Sequence, residues 1–160
     1  MLGGTARASP ADNAIQLAGL FTQSCVQFVG NSTGLRDWAH RTGLPDVPEP
    51  ARAEFLHGAP GMVFDASNTT GKFVLISGDD GGCSAIAEMA NGVALFGALE
   101  ADMRQTGIGF RLSRDVADPE EKQLQRREYT AWQATRRWRI ITGTVRDQQG
   151  GQAMLTANPD

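Results

Sequence analysis

Long apolar runs are missing from this 160-residue chain: no stretch approaches the roughly 20 apolar residues that cross a bilayer as a helix. Histidine is scarce, with only His40 and His57, which makes a metal centre hard to build. The two cysteines, Cys25 and Cys83, lie in no C-x-x-C pair, so neither a zinc site nor a thioredoxin-like redox role has support. No G-x-S-x-G elbow is present to suggest serine-hydrolase chemistry. The glycine-rich Gly78-Asp79-Asp80-Gly81-Gly82 lacks the spaced acidic ligands of a calcium loop and the lysine and following helix of a phosphate cradle, so it reads as a hairpin turn. Asp79 and Asp80 fall in that turn, and Asp115, Asp118, Glu120 and Glu121 in an acidic loop, where solvation explains them without acid–base work. No catalytic residue, metal ligand or cofactor is therefore assigned.

What is present is an ordinary globular composition, 41% apolar and 21% charged, and the length of one domain, placed at residues 12–160. Nineteen glycines and seven prolines suit short strands joined by tight turns. The net charge of −3 divides after Glu100 into −5 and then +2, which is not the dense basic footprint of a nucleic-acid binder.

Apolar side chains at Leu17, Phe21, Cys25 and Phe28 form a helical stripe over 12–29, with Asp12 as cap and Gly30 as terminator. A second helix is predicted over 33–42 and a third, short one from Pro50 to His57. Residues 62–65, 72–77 and 83–88 then read as an antiparallel three-strand meander. Asn91 caps a helix carrying Leu95, Leu99 and Met103, and strands follow over 108–112, 124–134, 138–145 and 152–156. The expected fold is α+β: an antiparallel sheet of about six strands with the N-terminal helical segment and one further helix packed on it.

Ala6-x-Ala8 matches the small-x-small pattern that signal peptidase cleaves after, so residues 1–11 read as a signal-peptide remnant or flexible N-terminus. In an oxidising compartment Cys25 and Cys83 would staple the first helix to the sheet; in a reducing one they would be buried small hydrophobes. Asn31-Ser32-Thr33 and Asn68-Thr69-Thr70 match the glycosylation acceptor but read as a helix start and a turn. The most distinctive stretch is 126–139, where Arg126, Arg127, Arg136, Arg137 and Arg139 interleave with Tyr129, Trp132 and Trp138. Three readings compete for it: core aromatics with arginines on the wet face, a protein interface, and a platform for single-stranded nucleic acid, the last disfavoured by the acidic overall charge.

The cysteine-bearing helix Phe21 to Phe28, Pro60-Gly61 opening the first strand, Gly81-Gly82-Cys83 after a turn, and the closing Gly151 to Thr156 together resemble small exported proteobacterial proteins of unknown function. The resemblance implies a periplasmic or secreted α+β domain with a Cys25–Cys83 disulfide, and it transfers no catalytic residue. The expected role is a non-enzymatic accessory protein that binds a protein partner, such as a small subunit or inhibitor in an envelope complex. A small-ligand-binding domain with its pocket between sheet and helix is one alternative. A cysteine-dependent enzyme using Cys83 with His40 or His57 is the other.

Overall fold

The chain enters its first helix, α1 (Pro10–Phe21), through a reciprocal cap. The Asp12 N–H donates to the Ser9 hydroxyl at 3.1 Å and the Ser9 N–H donates to the Asp12 carboxylate at 3.3 Å, with Pro10 opening the first turn. Ser9, not Asp12, is thus the cap. The computed structural model describes residues 9–147 and 149–160, so most of the expected signal-peptide remnant lies outside the described residues. After Phe21 the helix widens into a π turn over Thr22–Val26, where the Thr22 and Ser24 hydroxyls donate to the carbonyls of Ala18 and Leu20 at 2.7 and 2.5 Å.

Two short helices follow, α2 (Ser32–Arg41), capped by Asn31, and α3 (Ala51–Leu56). The strands are β1 (Gly61–Asp65), β2 (Phe73–Gly78) and β3 (Cys83–Ala90), then β4 (Gly109–Ala117), β5 (Leu124–Gln133), β6 (Arg136–Val145) and β7 (Gly151–Pro159). Helix α4 (Gly92–Gln105) joins the two groups, its N-terminus capped by the Asn91 side chain. All seven strands belong to one antiparallel sheet in the order β1-β2-β3-β7-β6-β5-β4, one more than the six or so expected.

Strand alternation divides the sheet cleanly. Phe64, Leu75, Ala85, Leu155, Ile140 and Tyr129 face one side and are buried beneath α1, α2 and α4. On the other side, Phe55 and Leu56 of α3 stand beside Ile76, Val74 and Ile86, covering the β1–β3 part. The outer edge of β1 is strapped by the preceding loop, through Val47 N–H to Val63 O and Asp65 N–H to Pro45 O, both 2.8 Å. Over β4–β6 the second face stays open, and Arg111, Arg126, Trp132, Arg137 and Arg139 are exposed there.

Two local features escape the sequence pattern. β4 runs five residues past its expected end at Leu112, because a bulge between Leu112 and Arg114 breaks the alternation while pairing with β5 continues to Ala117. The β5–β6 hairpin closes at Ala134 and Thr135 without glycine, and Ala134 takes the left-handed conformation at φ 55.

Cys25 and Cys83 are bonded, with sulfurs 2.04 Å apart, joining the π turn to the first residue of β3 across 58 residues. Closing a loop of that length is worth about 4 kcal/mol in the chain-entropy model. Replacing both cysteines by alanine should lower the urea-unfolding free energy by about that amount. Ala134→Asn, which relieves the left-handed strain, should raise it by about 0.5–1 kcal/mol in the same measurement.

Candidate functional site

The open face is read directly from the strand register. Gly109, Trp132 and Arg137 are cross-strand neighbours; so are Arg111, Thr130, Arg139 and Asn158; so are Arg114, Glu128, Ile141 and Thr156. Residues that pair across strands share a face, so Arg111, Arg114, Arg126, Arg137 and Arg139 all stand on this one side. Against them the paired strands set a single carboxylate, Glu128, which takes Arg126 at 3.2 Å. Arg111, Arg114, Arg137 and Arg139 make no ion pair or side-chain hydrogen bond among the described residues. Trp132, 39% exposed, leans across β4 because Gly109 offers no side chain: a Cβ there would stand 2.2 Å from the indole nitrogen. The result is a flat aromatic surface bordered by cations.

Of the eight residues singled out in 126–139, Arg126, Trp132, Arg137 and Arg139 belong to this open face. Tyr129 and Trp138 are buried in the core on the other side, and Trp138 keeps its indole N–H without an acceptor among the described residues. Arg136 stands at the hairpin end, 5.5 Å over the Trp138 ring. Arg127 is turned inward beneath α4. Its guanidinium lies 3.9 Å from the centre of the Phe96 ring and between two carboxylates, Asp115 at 3.1 Å and Glu100 at 3.7 Å. Glu100 also accepts from the Tyr129 hydroxyl at 3.1 Å and pairs with Arg104 at 3.5 Å. This network ties β4, β5 and α4 together. Arg111 and Arg114 were missed as members of the basic face because the bulge hides that they point the same way.

Burial, with the Glu100 charge adding to it, pushes the Tyr129 phenol up to about 12. The acidic loop is ordered locally: the N–H groups of Glu121 and Glu120 hold the Asp118 carboxyl below the usual range.

Beside this network, α4 and the ends of β5 and β6 enclose a groove of about 450 Å³. Val93, Phe96 and Val145 form its apolar walls, and Gln125, Thr144 and Arg146 its polar ones. Gly92 brings the start of α4 against β6, where a Cβ would stand 3.0 Å from the Thr144 hydroxyl oxygen.

The histidines and cysteines do not form a nucleophilic pair. Both sulfurs are in the disulfide, which leaves no thiolate for the cysteine-enzyme alternative. His40 stands 3.4 Å from Asp46 and edge-on to Phe64, while His57 ends α3 in the left-handed conformation. No helix among the described residues is long and apolar enough to cross a membrane. Comparison with family models, curated proteins and solved structures finds no match.

The chain has one tyrosine, so its titration can be followed without assignment. In the folded protein the phenolate absorbance should rise with a midpoint about two pH units above that of the urea-unfolded chain, matching the shift to about 12. A phenol whose ionisation is raised by folding contributes stability that is complete below the unfolded value near 10 and is lost as pH climbs through the folded value. Tyr129→Phe should remove this group's share of the alkaline loss and, by deleting the hydrogen bond to Glu100, cost about 1–2 kcal/mol at neutral pH.

Proposed function

We propose that this is a non-enzymatic exported protein that holds an acidic protein partner on the open face of its sheet. The observation that carries the reading is the set of four arginines without counter-charge around half-exposed Trp132. Like charges on neighbouring strands repel, so an isolated molecule has no folding reason to place Arg111, Arg114, Arg137 and Arg139 together. A partner carrying Asp and Glu supplies the missing carboxylates, and planar guanidinium groups take them two hydrogen bonds at a time. Trp132 gives the contact a flat desolvated centre of the kind that dominates interface energetics.

The alternative of single-stranded nucleic acid calls for successive exposed aromatics on which bases stack. Tyr129 and Trp138 are in the core, which leaves Trp132 alone in that stretch. The disulfide supports an oxidising compartment, periplasmic or secreted, and with it the resemblance to small exported proteobacterial proteins. A place as a small subunit or inhibitor in an envelope complex fits a domain that offers a surface rather than a reaction centre.

A photo-cross-linking amino acid in place of Trp132 should capture one discrete protein in intact cells, and the charge reversals Arg137→Glu and Arg139→Glu should abolish that capture. Both arginines are exposed and make no ion pair, so the reversals should change stability by no more than about 0.5 kcal/mol. Capture that survives the reversals, or a cross-link to nucleic acid instead, would sink the proposal.

A further inference from the structure

We infer that the acidic partner of the open sheet face docks an amphipathic α-helix in a trough across β7, β6 and β5, its backbone seated over Gly143. The inference rests on the partner reading above and adds the form of the element that binds. Two hollows of about 240 and 210 Å³ share Met154 and Thr156, so they run together into one trough. Phe55 and Leu56 of α3 wall one end, Leu124 and Arg126 the other, and Ile141 and Gly143 lie between. Met154, 38% exposed, sits where the hollows meet and gives the trough an apolar centre.

Gly143 carries the argument furthest. Glycine inside a strand weakens it, and its usual reasons are a left-handed φ, a bulge, or the close approach of another group. Gly143 has no positive φ, β6 pairs with β5 through it without a register shift, and a Cβ built there meets nothing within 4 Å. No described neighbour therefore requires the glycine, and the reason left is a backbone approaching from outside. The covered side of the sheet already uses this device, since Ala14 and Ala18 of α1 share the core with the alanines of β3 and β7. The approaching element is a helix because β7, β6 and β5 each have a strand on both sides, which leaves their backbone groups no bonds for an added strand. A segment lying on such a face must satisfy its own backbone, as a helix does. From β3 to β5 is three strand spacings, about 14 Å, which about nine helical residues span.

Charge sets which flank of that helix is acidic. Asp80 and Asp118 line the trough from the β2–β3 turn and the β4–β5 loop, and each accepts backbone N–H groups of its own turn. Arg126 takes Glu128. Arg139 stands on the same side as Ile141 and two residues before it, about 7 Å toward Trp132, with Arg111 and Arg137 beside it in the register. With Arg114 these make five arginines against three carboxylates, and the surplus lies on the Trp132 side. A helix with its apolar stripe on Met154 and Ile141 and its glutamates on that flank meets both features at once.

The test is a titration of isotope-labelled protein with three synthetic peptides, followed by amide chemical shifts. The first is a helix with one alanine–leucine stripe and glutamates elsewhere, the second has the same composition in scrambled order, and the third has lysine for every glutamate. The first should shift the amides of Ile141, Gly143, Met154 and Thr156 saturably, the scrambled peptide should bind at least about tenfold more weakly, and the lysine peptide should not bind. Gly143→Phe, which fills the seat, should weaken the first peptide by about tenfold or more while melting no lower than the parent, and Gly143→Ala should weaken it by a smaller factor. The inference is overturned by the absence of saturable shifts with the first peptide, by equal binding of the scrambled one, or by undiminished binding to Gly143→Phe. In the last two cases an acidic chain still binds, so the partner reading stands without the helix. Preference for the lysine peptide would remove both, and capture through Trp132 tests the partner reading independently.

Discussion

The close seating of α1 on the sheet is the contact on which the rest of the molecule depends. Ala14 and Ala18 of the helix and Ala85, Ala87, Ala90, Ala153 and Ala157 of β3 and β7 are all buried in the same core. Small side chains on both partners let the backbones approach, and larger residues at the margins, Leu17, Phe21, Leu75 and Leu155, fill what remains. The disulfide pins the same contact at one end: Cys25 and Cys83 lie where the π turn meets β3, with Cα atoms 5.1 Å apart. There the two glycine loops also touch, since a Cβ on Gly81 would stand 3.0 Å from the Gly30 Cα. Packing and cross-link act on one joint, and α4 is then held against α1 and the sheet.

That arrangement decides which surfaces are free. With α1, α2 and α4 on one face and α3 on part of the other, the β4–β6 region keeps an uncovered side where arginines gather. The sheet's two edges are treated differently. β1 is strapped by the 45–47 segment, while β4 carries a bulge together with Arg111 and Arg114, devices that discourage edge-to-edge pairing between copies. On the helix side, the Arg127–Glu100–Tyr129–Asp115 network, joined by Arg104, sets two guanidinium groups against two carboxylates beneath α4. One arginine-rich stretch thus serves two purposes, because successive residues of a strand point to opposite sides.

Much of the fold was legible in the sequence. Helix stripes, Asn91 as a cap, the Gly78–Gly82 turn and the alternating strands are local signals that tertiary packing reinforces. Where the reading stopped short, a physical cause is identifiable. The cap moved from Asp12 to Ser9 because both ends of a capping box are polar and either could be the first residue. β4 was cut short because its bulge shifts the alternation by one residue, and the β5–β6 turn was unmarked because Ala134 adopts a conformation that pairing imposes on it. The candidate site was legible only as a composition of arginines and aromatics, with nothing to say which of them faced out.

The sequence alone determined the element order, the α+β class and the candidacy of Cys25 and Cys83 for a bond, since each rests on periodicity, turn chemistry or residue type. Tertiary structure decided the rest: that the two sulfurs meet, that Trp132 stays outside while Tyr129 and Trp138 go in, and that Arg111 and Arg114 join Arg137 and Arg139 on one face. It also made the α4 groove, whose walls come from three separate segments between residues 91 and 147. The physical reason is that a face of a sheet and the space beneath a helix are properties of register and packing, and neither exists until distant strands have paired.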